Sequence, residues 1–132
     1  ASKLQIKVNF LGVVDNDQLY KLYNTHSIFI LCSKYEGNPK TMLEAMSCGS
    51  AVIGTNVTGI CNIINNGENG LLVNENYIEL REAICSLSSD SGMRESLGRN
   101  ARKSIVKNNS LKCLIQKELE LYRELIDNNL GV

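Results

Sequence analysis

The 132-residue chain has no tryptophan, a single proline at Pro39, a single histidine at His26 and no net charge, because fourteen Lys and Arg side chains balance fourteen Asp and Glu. With the charges cancelled, no overall field draws it to nucleic acid or to an anionic membrane, and such a partner would need a local patch. The five cysteines, Cys32, Cys48, Cys61, Cys85 and Cys113, are odd in number and contain no Cys-x-x-Cys pair. Beside one histidine they supply neither a zinc-ligand pattern nor a disulfide framework, so no metal site is expected. Cys32, Cys48 and Cys85 sit among apolar neighbours and read as small buried hydrophobes, which suits a reducing compartment and points to the cytosol. No apolar run approaches the ~20 residues needed to span a bilayer, and no charged-then-apolar leader opens the chain. A chain of this length suits one domain, residues 1–132, able to bury roughly two thirds of its unfolded surface without staples.

What is present is alternation. Residues 8–11, 28–31, 51–53 and 71–73 are short apolar runs rich in branched side chains, each followed by turn residues and then a helical pattern. They read as four buried strands of a parallel sheet. Leu19, Leu22 and Tyr23 give a helical stripe between the first two runs, and Met42, Leu43 and Met46 another between the next two. A helix is expected from Asn76, where Glu79 completes a capping box. Further helices are expected over 92–107 and, capped by Ser110, along a final stripe of Leu111, Ile115, Leu119, Tyr122 and Ile126. The Asn- and Gly-rich stretch 62–70 reads as a loop. The pattern predicts an α/β, Rossmann-like, doubly wound parallel sheet with a long C-terminal helix. Because the chain starts almost directly on a strand, it is expected to be the later part of a larger domain, with one sheet edge lacking its neighbour.

Chemistry concentrates at residues 33–49. Asn38-Pro39 is a helix start, since asparagine is a preferred cap and proline suits the first helical position. A helix amino end at the carboxyl edge of a parallel sheet presents free N–H groups and partial positive charge, which suits a phosphate, although an ordinary βα turn has the same composition. Glu36 stands in the loop before that helix. Glu44 lies about two turns in, where it is either matched by donors such as sugar hydroxyls or is the solvated flank of an amphipathic helix. His26 reads as a turn residue. Arg94, Arg99, Arg102 and Lys103 form a basic helix side that would be solvated or would face anionic lipid.

The run Ser33-x-x-Glu36-Gly37-x-Pro39-x-x-x-Leu43-Glu44-Ala45-Met46-x-x-Gly49 resembles the donor-site signature of retaining glycosyltransferases of the GT-B type, and more closely that of glycosyltransferase family 4. Val8-Asn9-Phe10-Leu11-Gly12, Ala51-Val52-Ile53-Gly54-Thr55 and Asn69-Gly70-Leu71-Leu72-Val73 resemble the family's neighbouring units in the same order. The resemblance implies a nucleotide diphosphate sugar, linked to UDP or GDP, as substrate, with no cofactor and no metal strictly required. Glu36 would approach the donor sugar as the catalytic carboxylate, and Glu44 would hold the ribose hydroxyls. Backbone around Gly37, Asn38, Lys40 and Thr41 would meet sugar and diphosphate, with Pro39 donating nothing. Gly12, Val13 and Val14 would read the base.

On this resemblance the chain is most of the C-terminal, donor-binding domain of the enzyme. The acceptor, a glycan or a lipid-linked sugar, would be held by an N-terminal domain lying outside the sequence, as would the family's Arg and Lys pair for the diphosphate. Lys34 and Lys40 lie near the motif and are either solvated or in contact with phosphate. The parent would be cytoplasmic, with peripheral association at the inner face of the membrane, and would transfer a hexosyl-type sugar with retention. Two other readings stand beside it: a non-catalytic nucleotide- or protein-binding module of the same fold, and a sugar-nucleotide epimerase of similar build.

Overall fold

The computed structural model describes residues 6–129. Among these, three parallel strands form one sheet in the order β1 (Ile28–Leu31), β2 (Ala51–Thr55), β3 (Leu71–Val73). Ile28 pairs with Ala51 and Ile53 with Leu71, so β2 is central and is buried along its whole length. Its alternation distributes the core. Val52 packs on one face with Met42, Ala45 and Met46 of α2 (Lys40–Ser47) and with Tyr23 of α1 (Asn16–Thr25). Ala51 and Ile53 pack on the other with Ala83 and Leu87 of α4 (Tyr77–Ser89). α5 (Ser91–Asn108) serves both, giving Ala101 and Ile105 to the first cluster and Leu97 to the second. The expected α/β architecture with helices on both faces of a parallel sheet is therefore present, and it ends in the long helix α6 (Leu111–Asn129).

The expected strand at 8–11 is not formed. Residues 6–15 have no strand or helix, and Phe10 and Val13 are 95% and 101% exposed. Branched, apolar residues raise the propensity for a strand without making its ladder bonds. Residues 9–12 and Val14 instead line a groove beside β1, whose only sheet neighbour among the described residues is β2.

Three other expectations shift. The helix after Pro39 begins at Lys40, one residue later than read, with Pro39 at the cap position and no side-chain cap. A one-turn helix, α3 (Thr58–Cys61), is present where none was read, since four residues carry no periodicity. Cys32 and Cys85 are exposed rather than buried: Cys32 follows the end of β1, and Cys85 lies off the face of α4 that buries Ala83 and Leu87. All five thiols are free.

Close backbone approaches flank α2, one at the loop before it and one at the turn after it. A Cβ on Gly59 would stand 2.1 Å from the Glu36 carbonyl oxygen, and one on Gly98 would stand 2.1 Å from the Gly49 carbonyl oxygen. Gly49 itself has φ +80° and closes α2 with a Schellman arrangement, the N–H of Ser50 reaching Ala45 and that of Gly49 reaching Met46.

Candidate donor site

Beyond the carboxyl end of β1 the chain runs through residues 32–39 before entering α2. Thr55, buried at the end of β2, ties this loop to the sheet: its hydroxyl donates to the Ser33 carbonyl at 2.6 Å and accepts from the Ser33 N–H at 3.1 Å. Ser33 then donates through Oγ to Oε2 of Glu36 at 3.2 Å. Glu36 is thereby half-buried and oriented by a relay that starts in the central strand. Gly59 of α3 bears on the loop from the other side, since the carbonyls of Glu36 and Gly37 occupy the space a side chain there would need.

The start of α2 is left open. The N–H of Lys40 is used by the Asn38 carbonyl at 2.9 Å and that of Met42 by Pro39 at 3.0 Å. Among the described residues the N–H groups of Gly37, Asn38 and Thr41 have no partner, and all three residues are exposed. Pro39 is buried beneath them, a ring with no N–H to leave unsatisfied. Such unpaired donors at a helix amino end favour an anion.

Glu44 follows in α2, exposed, with Oε2 accepting from the Tyr23 hydroxyl at 3.1 Å. Burial, and then the hydrogen bond to Glu44, push the Tyr23 phenol up to about 12, so it stays a donor at any ordinary pH. A groove of about 630 Å³ runs beside β1 and is lined by Gly12, Val14, Tyr23, Ile30 and Thr41 among others. Two of the three residues expected to read a base therefore share a cavity with the start of α2, whereas Val13 points fully into solvent. Lys34 and Lys40 are exposed, and neither is engaged in an ion pair among the described residues.

The family description for glycosyl transferases group 1 matches residues 1–104. The chain belongs to the group 1 glycosyl transferases. It is 31% identical over 122 residues to the N,N'-diacetylbacillosaminyl-diphospho-undecaprenol alpha-1,3-N-acetylgalactosaminyltransferase of Campylobacter jejuni, covering 92% of this chain and 32% of that protein. Among solved structures it superposes on the sucrose-phosphate synthase of Thermosynechococcus elongatus with a TM-score of 0.85 at 28% identity, covering 96% of this chain and 32% of that one. It also superposes on a variant of S. aureus TarM solved with UDP, with a TM-score of 0.73 at 25% identity, covering 80% of this chain and 22% of that one. The chain thus spans about a third of the length of the curated relatives it matches.

Several features of this candidate site are not evident from the sequence. Tyr23 looked like one member of an apolar stripe, and its signal was the hydroxyl, which a buried tyrosine must place against a partner. Ser33 and Thr55 lay inside the quoted motifs without a role. Two arginines of the basic side of α5 tie it to neighbouring elements, Arg102 donating to the Ser47 carbonyl at 2.9 Å and Arg94 to the Leu87 carbonyl, whereas Arg99 pairs with Glu95 on the surface of α5 itself. No helix among the described residues is long and apolar enough to cross a membrane.

Proposed function

We propose that this chain is the donor-binding part of a retaining glycosyltransferase that moves a hexosyl-type sugar from a UDP- or GDP-linked donor to a glycan or lipid-linked acceptor. The observation that carries the reading is the disposition of Glu36 and Glu44 on either side of an uncapped helix start, in a chain of the group 1 family. Glu36 stands near the sugar, where a fixed carboxylate stabilises the positive character that grows on the ring. The open N–H groups of Gly37, Asn38 and Thr41 take the negative charge that grows on the diphosphate. Glu44 accepts from the ribose hydroxyls, and the groove along β1 receives the base.

In the transfer step the electron pair of the anomeric C–O bond leaves with the diphosphate. The acceptor oxygen bonds to the same face of that carbon, and the acceptor's proton departs with the leaving group. Retention follows from attack on the face the nucleotide vacates. This chemistry needs no metal ion, so transfer by the full-length protein is expected to survive exhaustive chelation. UDP and the sugar seen in complexes of similar fold favour a nucleotide sugar over a peptide or nucleic acid ligand.

The test is a calorimetric titration of the full-length protein with UDP- and GDP-linked sugars, followed by NMR of the product's anomeric proton. Saturable binding that is lost in Glu36→Ala and Glu44→Ala variants, and a product of unchanged anomeric configuration, are the expected results. Failure to bind either nucleotide sugar would remove the enzyme reading. Conversion of the donor sugar with no acceptor present would favour an epimerase instead.

A further inference from the structure

An exposed glutamate on a helix samples several rotamers, and a ligand that needs one of them must bear the entropy of fixing it. Glu44 is exposed yet not free to wander, because the Tyr23 hydroxyl donates to its Oε2 at 3.1 Å across two different helices. Tyr23 is in turn held at three points. The residue is 9% exposed and belongs to the core, its ring stands edge-on to Phe29 with centroids 5.6 Å apart, and its carbonyl accepts from the buried Ser50 hydroxyl at 3.0 Å. Phenylalanine would fill the same core space without bringing a hydroxyl to satisfy, so packing alone does not account for tyrosine here.

We infer that Tyr23 is a positioning residue for Glu44, fixing the carboxylate so that its remaining oxygen is presented to the ribose hydroxyls of the bound nucleotide. The inference rests on the proposed role of Glu44 as the ribose acceptor. Oε1 of Glu44 has no protein partner among the described residues, so fixing Oε2 leaves one oxygen for a ligand. Tyr23 also lines the groove that holds Gly12, Val14 and Thr41, so it shares a cavity with the expected base-reading loop and the start of α2. The raised phenol keeps the proton on Tyr23 at every pH at which transfer would be assayed.

The experiment compares UDP with 2′,3′-dideoxy-UDP on the full-length protein, using GDP and its dideoxy analogue if the wild type prefers guanosine. Wild type should bind the ribonucleotide more tightly. Tyr23→Phe should weaken ribonucleotide binding by about five- to tenfold, the effect of one ordinary hydrogen bond, while leaving dideoxynucleotide binding unchanged. In a Glu44→Ala background the same substitution should add nothing, because coupled residues are not additive. Equal weakening of both nucleotides, or no weakening of either, while Glu44→Ala still collapses their difference, would overturn the role of Tyr23 alone. If Glu44→Ala leaves that difference intact, the ribose reading fails and the inference with it. A thermal melt of each variant separates a lost contact from a lost fold.

Discussion

The helix starts of this chain are of two kinds. α4 and α5 are capped by their own side chains: Asn76 accepts from the Ile78 N–H at 2.9 Å and Asp90 from the Met93 N–H at 2.8 Å. α2 begins on Pro39 with no side-chain cap at all, although it is packed on the central strand and opens at the crest of the sheet. A cap that is already filled has nothing to offer a ligand. α1 and α3 also start without a side-chain cap, at Asp15 and Val57, so an open start alone marks no site; α2 is set apart because its open start lies between Glu36 and Glu44.

The largest disturbance to that contrast should come from Gly59→Ala. The added methyl meets the Glu36 carbonyl at 2.1 Å and must push the loop away, so nucleotide-sugar binding should fall more than tenfold and stability by about 1–3 kcal/mol. Calorimetry and a denaturant titration measure both. Asp90→Ala should do the reverse, costing about 1 kcal/mol of stability through the lost cap while nucleotide affinity holds. Pro39→Ser would give α2 a side-chain cap of the kind α4 has. The new hydroxyl would compete for the N–H of Thr41 or Met42, so donor affinity should drop a few-fold in the same titration. Arg99→Ala touches neither kind of helix start. Its pair with Glu95 spans 3.4 Å between two largely exposed side chains, and its removal should shift stability by less than about 0.5 kcal/mol.

Much of this was legible from the residues. β2 shows as a short branched run because a central parallel strand is buried on both faces, and the Ser110 cap shows because Ser110 Oγ does accept from the Cys113 N–H. Val8, Phe10 and Leu11 misled because an apolar run reports propensity and not actual pairing, and the segment makes no ladder with the open edge of β1. Glu79 was read as half of a capping box with Asn76; it accepts instead from the backbone and side-chain nitrogens of Asn74, which hold its carboxyl below the usual range. Asp90 was overlooked as a cap although Asp before a helical pattern is a standard signal. At the site, Glu36 and Glu44 were legible through their spacing within a known motif. Ser33, Thr55, Gly59 and Tyr23 were not assigned roles, because what they do depends on residues 21 or more positions away and on backbone proximity that spacing does not encode.

The glycines on either side of α2 seat it closely. Gly59 lies against the carbonyls of Glu36 and Gly37 in the loop before the helix, and Gly98 against the carbonyl of Gly49 just after it, and neither place has room for a side chain. Glu44 rides on the helix and Glu36 on the loop that leads into it, so a side chain added at Gly59 or Gly98 would disturb the setting of a carboxylate without replacing one.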